Sequence, residues 1–439
     1  MVDIIVAKFG GSSLADKSQI EKVAHIIKAN KNIKYIIPSA PGKRNGDDHK
    51  ITDLLCMCYQ LASHGLNFND IYWIIENRFK SICSELGLDI SIDEILEEIK
   101  EDIKKGSSRD YAASRGEYLS GIILSNYLGF KFVDPVDLML FDEDGFLKDN
   151  ETDRRIKSVL SDIEYAVIPG FYGADDRGEI RTFSRGGSDI TGSIIASGVG
   201  AVMYENWTDV SGFLMADPGI VKDPKPIKKI TYRELRELSY MGAPVLHEEA
   251  IFPVKKHNIP VNIKNTNKPE DPGTMIIYDL DIDDSEGEIT GIAGKKDFTV
   301  ITIEKTFMTR EKDFFRKVIS VFETNDIAIE HMPSGIDSIS IIVSDLELNA
   351  KKKKVIEEIR IYCSPDNIVC SSGMALVAVV GRGMINTKGI SAKIFTALAK
   401  GDVNIRMISQ GSSELSIIVG IENKDFEKAI SSIYNAFEK

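Results

Sequence analysis

Apolar residues gather in short runs near the start of the chain and then recur at helical spacing. Residues 2–7 predict a buried strand, and residues 18–30 predict an amphipathic helix. The alternation continues to about residue 280. Residues 35–40 end a strand, 165–171 and 201–204 form two more, and polar helical stretches separate them. This order indicates an α/β layer fold, a mostly parallel sheet covered by helices. Residues 67–105 read as charged helix, either an insertion or a support for a lid.

An acidic stretch at 279–288 reads as a boundary linker. Beyond it the pattern repeats at an offset of 76 residues. Residues 299–303 match 375–379. Phe314, Val318, Val321 and Phe322 match Ile390, Ile394, Ala397 and Leu398. Residues 326–329 match 402–405, Gly335 matches Gly411, and 340–343 match 416–419. Each copy reads strand, helix, strand, tight turn, strand, helix, which is a ferredoxin-like layer of one sheet and two helices. Two such units are either packing modules or small-molecule sensors. Small sheets bury their edges by pairing, so an oligomer is expected.

The 439 residues suffice for two or three domains. A net charge of -13 disfavours nucleic acid as a partner, and the run Lys351-Lys352-Lys353-Lys354 reads as a solvated helix face. The five cysteines (Cys56, Cys58, Cys83, Cys363 and Cys370) form no C-x-x-C pair and read as reduced core thiols of a cytoplasmic protein. The six histidines are scattered, so no protein-built metal site is expected. No apolar run reaches membrane-spanning length, and no secretory signal opens the chain.

Two stretches carry chemistry. Lys8-Phe9-Gly10-Gly11-Ser12-Ser13 lies at the first strand-to-helix junction, and Thr182-Phe183-Ser184-Arg185-Gly186-Gly187-Ser188-Asp189 precedes a helix expected over 190–198. Each sets a Gly-Gly pair and a basic residue at a helix N-terminus, where backbone N–H groups and the helix dipole favour an anion. Ser188 or Asp189 is a candidate cap for the second helix. Arg185 can grip a carboxylate or phosphate with two parallel hydrogen bonds. Taken alone, the first stretch is equally a tight turn with a surface lysine. Taken together, two anion nests suit phosphoryl transfer between charged partners. No Walker loop is present, so a kinase without one is indicated.

Further strings follow in order: Ser39-Ala40, Thr52-Asp53-Leu54-Leu55, Arg115-Gly116-Glu117, Trp207-Thr208-Asp209-Val210 with Gly212, Val245-Leu246-His247, Asn265-Thr266 and Pro272-Gly273-Thr274. With the two glycine stretches they resemble the aspartokinases of the amino-acid kinase superfamily over nearly the whole chain, and the repeat resembles that family's two ACT domains. The resemblance implies a three-layer kinase sandwich over 1–285 and ACT domains over 286–370 and 371–439, with the strand near 287–297 joining the second. It implies phosphorylation of the side-chain carboxylate of L-aspartate by ATP with Mg2+, giving 4-phospho-L-aspartate at the entry to lysine, threonine and methionine biosynthesis. It also implies feedback inhibition by lysine or threonine, and a homo-oligomer joined through the ACT domains.

Residue by residue, the resemblance assigns Lys8 to the transferred phosphoryl group and Asp189 to orienting Lys8. Ser39, Thr52, Glu117, Arg185, Gly186, Gly187 and Ser188 fall to aspartate, with Glu117 receiving its ammonium group and Arg185 a carboxylate. Gly10, Gly11, Ser12, Thr208, Asp209, Asp217 and Lys225 fall to the nucleotide. Met308, Asp313, Ile329, Glu330 and Ser338 fall to the effector. His247 is expected to be structural. The chain departs from the family at Leu214, Gly219 and Pro244, where a tyrosine, an arginine and a lysine are usual; Lys222 or Lys225 is the candidate substitute for that lysine. The segment between Ala40 and Thr52 is longer than in many relatives and is a candidate lid. Two other readings stay open: a kinase of the same superfamily acting on glutamate, acetylglutamate or UMP, and a catalytically silent amino-acid sensor.

Overall fold

The computed structural model describes residues 3–184, 186–243, 248–278 and 287–438. The chain alternates between two compact units. Met1–Phe213, Pro226–Tyr232 and Val245–Asp281 form the first, and Leu214–Lys225, Arg233–Pro244 and Ile282–Lys439 form the second.

The first unit is built on an eight-stranded sheet. Its order is Lys131–Phe132, Ala166–Val167, Ile33–Pro38, Ile5–Phe9, Met203–Thr208, Val261–Asn265, Thr274–Ile277, Lys229–Thr231. Only Val261–Asn265 with Thr274–Ile277 runs antiparallel. Every residue of Ile33–Pro38 is buried, as a strand covered on both faces must be. Helices Lys17–Ala29, Ile51–Ser63, Asn69–Leu86, Ile92–Lys104 and Arg109–Leu128 close one core over Ala7, Phe9, Ile33 and Ile36. The charged stretch 67–105 supplies Tyr72, Ile75, Phe79 and Leu96 to that core. It is a wall of the unit.

Three local features differ from the sequence expectation. The first helix begins at Lys17, where the Asp16 carboxylate caps it by accepting from the Gln19 N–H at 3.1 Å; the glycines lead instead into a 3-10 turn, Gly11–Leu14. The strand expected at 165–171 is regular only over Ala166–Val167, because Pro169 has no N–H to give the ladder. The helix expected at 190–198 begins at Gly187, with Gly186 outside it at φ 61° and no side-chain cap. Ser188 and Asp189 therefore lie in its first turn, where their side chains are not needed as caps.

The second unit holds a five-stranded sheet in the order Ser338–Ser344, Gly291–Glu304, Asn367–Val380, Ser416–Glu422, Met407–Gln410. The repeat is visible in it. Helices Phe314–Thr324 and Ile390–Lys400 correspond at the 76-residue offset, whereas strands Ser338–Ser344 and Ser416–Glu422 correspond two residues later, at 78. Asp326 and Asp402 share a left-handed φ of 51°. The long strand Gly291–Glu304 serves both copies: residues 291–295 pair with 376–380, and 298–304 pair with 338–344. The strand expected at 326–329 is not regular. Single bridges His331 to Ile342 and Ser334 to Ile339 stand in for it, on either side of Pro333.

Two cores fill this unit. One gathers Met308, Val318, Phe322 and Ile341. The other gathers Val377, Ile394, Val419 and Ile433, with Ala216 and Val221 from the early segment. Lys351 is more than a solvated charge, since its ammonium donates to the Asn325 carbonyl at 2.6 Å and the Asp326 carbonyl at 3.0 Å. The cysteines are all free; Cys58, Cys83 and Cys363 are buried, whereas Cys370 is exposed and so lies outside the expected core set. Among the described residues no helix is long and apolar enough to cross a membrane.

Candidate active site

Ligands of open parallel sheets bind beyond the C-terminal ends of the strands. Lys8 stands at that end of Ile5–Phe9, in register with Asn206 on the neighbouring strand. Its ammonium lies 2.6 Å from Asp189 Oδ1. Asn206 donates from Nδ2 to the same oxygen at 2.8 Å, and its Oδ1 accepts from Lys8 at 3.4 Å. The three side chains come from two strands and the first turn of Gly187–Gly198. Helix N-termini carry partial positive charge, so Asp189 is favoured there while it holds Lys8.

Two loops close on one another beside Lys8. Gly42 N–H donates to the Gly11 carbonyl at 2.8 Å, and Ser39 N–H to the Phe9 carbonyl at 3.0 Å. A Cβ on Gly11 would come within 2.8 Å of the Ala40 carbonyl oxygen, and one on Gly42 within 2.7 Å of the Gly11 carbonyl carbon. Only glycine permits that approach. Gly10 N–H donates to the Trp207 carbonyl at 2.9 Å, so it prolongs the sheet ladder instead of facing an anion. The Ser13 hydroxyl meets that of Thr266 at 2.7 Å.

The Arg115-Gly116-Glu117 string divides its work along the helix Arg109–Leu128. The Arg115 guanidinium faces the rings of Tyr111 and Tyr118, each at 4.5 Å, and of Tyr172 at 5.2 Å. Gly116 admits Ala40, whose Cβ a methyl there would meet at 2.6 Å. Glu117 is buried, and its Oε2 has no hydrogen-bond partner. Burial pushes its carboxyl up to about 8, against a backbone hydrogen bond from Ala40 and the charges of Arg115 and Lys8. A buried carboxyl with one oxygen left unpaired is costly unless a ligand completes it.

On the far side, Phe171 holds an unusual φ of 82°. Its N–H donates to the Thr191 hydroxyl at 3.0 Å. A Cβ on Gly187 would lie 2.4 Å from the Phe171 ring, and one on Gly170 would lie 2.6 Å from Ser188. Strained backbone of this kind concentrates at functional sites. Here it seats residues 169–171 against the helix start.

Lys8, Asp189, Gly10, Gly11, Ser12, Ser39, Glu117, Gly186, Gly187 and Ser188 all belong to the first unit, as do Thr52, Thr208 and Asp209. Arg185 and His247 lie outside the described residues, and so does Pro244. Thr208 donates its hydroxyl to the exposed Asp209 carboxylate at 3.2 Å. Asp217 and Lys225 belong to the second unit. Asp217 accepts from Gly219 N–H at 2.8 Å, and Lys225 pairs with Glu438.

The effector candidates also lie in the second unit. Met308 is fully buried in an apolar core. Asp313 precedes the helix Phe314–Thr324 and pairs with Lys317 at 3.1 Å. Ile329 packs against the same core, Glu330 N–H donates to the Ile342 carbonyl at 2.9 Å, and Ser338 opens its strand.

Asn206 is the site residue that sequence reasoning missed. Its nearest signal is its place just before Trp207-Thr208-Asp209, but pairing opposite Lys8 is nonlocal and leaves no mark in the sequence.

Comparison with known proteins bears on this arrangement. The profile described as "Amino acid kinase family" matches residues 3–265, and one described as "ACT domain" matches residues 377–437. The chain is 36% identical over 447 residues to aspartokinase 3 of Bacillus subtilis, covering 98% of each. It is similar to the crystal structure of Clostridium acetobutylicum aspartate kinase, described as an allosteric enzyme, with TM-score 0.93 and 56% identity over 99% of this chain and 100% of that one. The fold of Escherichia coli aspartokinase III, solved with aspartate and ADP, matches with TM-score 0.75 and 23% identity over the whole of both chains. The chain belongs to the amino acid kinase family and, within it, to the aspartokinases.

Proposed function

We propose that the chain transfers the γ-phosphoryl group of ATP to the side-chain carboxylate of L-aspartate, giving 4-phospho-L-aspartate and ADP. The observation that carries this reading is the Lys8–Asp189 ion pair, fixed at the C-terminal end of a central strand, together with the buried Glu117, whose Oε2 has no partner. A carboxylate oxygen of aspartate attacks the γ-phosphorus, and the bond to the bridging oxygen of ADP breaks. The attacking group is already ionised at neutral pH, so no general base is needed. Catalysis then rests on positioning and on offsetting negative charge.

Lys8 meets the transferred phosphoryl oxygens, and Asp189 sets its direction. Gly11 and Ser12 take the phosphate cradle, with Gly10 shaping the loop. Glu117 receives the ammonium group of aspartate, Arg185 a carboxylate, and Ser39, Thr52, Gly186, Gly187 and Ser188 complete the pocket. Thr208 and Asp209 face the nucleotide. Mg2+ supplies charge neutralisation on the phosphates when bound. A nucleotide-borne Mg2+ needs only one or two carboxylates, a part that Asp209 takes in this reading.

The kinase part is taken as 1–285, with ACT domains at 286–370 and 371–439 and the 291–295 strand lent to the second. Met308, Asp313, Ile329, Glu330 and Ser338 are the proposed effector residues, in a cytoplasmic homo-oligomer joined through those domains. Lysine is the first effector to test, since a solved aspartokinase III of Escherichia coli is described in complex with lysine and aspartate. The experiment is a hydroxylamine trap for acyl phosphate with ATP, Mg2+ and L-aspartate, repeated with lysine and with threonine. Hydroxamate formed with aspartate and lost with one effector is expected. Its absence with aspartate, or its appearance with glutamate instead, would overturn the reading.

A further inference from the structure

Lys8 and Asp189 would make a sufficient ion pair alone, yet a third buried group is built between them. Asn206 is 3% exposed and stands opposite Lys8 in the parallel ladder, so both side chains leave the same face of the sheet. Its amide has one orientation that satisfies its neighbours. Nδ2 donates to Asp189 Oδ1 at 2.8 Å, and Oδ1 accepts from the Lys8 ammonium at 3.4 Å. The flipped amide would set oxygen against carboxylate and N–H against ammonium.

Asp189 Oδ1 thus receives both the Lys8 ammonium, at 2.6 Å, and the Asn206 amide. A neutral donor on that oxygen shares its charge and weakens its hold on Lys8. The amide oxygen offers Lys8 a second contact without neutralising it. Lys8 is then held by geometry while its charge stays available to a phosphoryl group.

We propose that Asn206 is a positioning residue for phosphoryl transfer, which aims Lys8 by fixing Asp189 and by accepting from Lys8 directly. This rests on the reading of Lys8 as the group that meets the phosphoryl oxygens. In this role Asn206 acts through Lys8 and Asp189.

Three variants separate the two ideas, assayed on the full chain by the hydroxamate trap and by coupled ADP release. Lys8→Met tests the underlying reading and should abolish turnover. Asn206→Leu keeps the volume and removes both polar contacts. It should lower kcat by about 100-fold, the cost of a misplacement near 1 Å at a reacting centre, while KM for aspartate and ATP stays within about twofold. Asn206→Asp keeps the shape but sets a second carboxyl against Asp189, so the two share a proton. The groups facing it are Lys8 on the neighbouring strand and Asp189 on the helix, with Glu117 in the field of Lys8. In its protonated form the introduced carboxyl donates to Asp189 as the amide did. The ratio of variant to parent kcat should therefore rise as pH falls from 9 to 6, which a merely structural defect would not produce.

Retained turnover in Lys8→Met would sink the reading of Lys8. Collapse of Lys8→Met with kcat retained in Asn206→Leu would sink the role of Asn206 alone. A flat kcat ratio across pH in Asn206→Asp, or a loss confined to KM in either Asn206 variant, would do the same.

Discussion

The carboxylate of Asp48 lies 2.5 Å from the guanidinium of Arg78, with side-chain exposures of 8% and 2%. Arg78 also donates to the carbonyls of Gly42 at 3.2 Å and Ala15 at 3.4 Å, and Arg44 donates to Asp48 at 2.9 Å. The segment between Ala40 and Thr52, a candidate lid by length, is pinned by a buried ion pair to the wall helix Asn69–Leu86 and to the loop that follows the glycines.

Removing one partner of such a pair leaves a buried charge and costs about 3–5 kcal/mol. Asp48→Asn should lower the melting temperature accordingly. Burial alone would raise the Asp48 carboxyl, but hydrogen bonds from Arg44 and the backbone and the charge of Arg78 hold it well below its usual range. A depressed folded value means that the stabilisation is complete above the ordinary carboxyl pKa of about 4 and is lost as pH falls below it. Acid unfolding followed by circular dichroism should be shallower in Asp48→Asn than in the parent; identical acid limbs would contradict this.

Glu117 shows the opposite sign. Burial raises its carboxyl to about 8, so its protonated form stabilises the free protein at low pH, and that contribution fades as pH rises from the ordinary carboxyl range toward 8. An ammonium ligand needs the ionised form. Aspartate binding at pH 7 should release a proton, seen by calorimetry as a heat that varies with the ionisation enthalpy of the buffer. Glu117→Gln should abolish the proton release and raise KM for aspartate by about 10–100-fold, the worth of a hydrogen bond to a charged group.

The clasp of Gly11 and Gly42 predicts a third outcome. Their missing side chains face backbone atoms at 2.8 and 2.7 Å, which cannot rotate away. Gly42→Ala should part the two loops, lower kcat/KM for ATP by about 100-fold and cost about 1–3 kcal/mol of stability. Gly46→Ala, where nothing lies within 4 Å, is the matched control and should behave like the parent in steady-state assays.

In the second unit, Glu234 is fully buried. It accepts from Arg382 at 3.1 Å through the guanidinium and at 2.9 Å through the backbone N–H, and from the Thr290 hydroxyl at 2.5 Å. Glu234→Leu should destabilise this unit by about 3–5 kcal/mol, lowering one calorimetric transition while Lys8-dependent chemistry persists below it.

Much of this was legible in the chain. The strand before Lys8, the two Gly-Gly stretches and the 76-residue repeat are local or periodic signals, and periodicity survives folding. The missing parts are contacts between distant residues. Nothing in the sequence says that Arg78 meets Asp48, that Asn206 faces Lys8, or that Trp207 takes the Gly10 N–H. The first helix was legible to within a residue, although a 3-10 turn separates it from the glycines; the second helix starts early, where the left-handed Gly186 opens it. The strand expected at 326–329 failed in both copies, because each stretch opens with a left-handed aspartate, Asp326 or Asp402, in the turn after the helix, and the second copy's strand comes later, at Met407–Gln410.

The chain passes between its two units five times before the last long segment. A ribosome therefore releases residues 214–225 and 233–243 well before the sheet that completes their unit. The core in which Ala216 and Val221 end, with Val377, Ile394 and Val419, is complete only after more than a hundred further residues have been made. A stop codon placed after residue 285 would thus leave a fragment with bare apolar segments rather than a tidy kinase, and such fragments invite chaperones and aggregation. The second unit is spliced into the first in the order of synthesis, and neither can be inherited, excised or exchanged by a single cut.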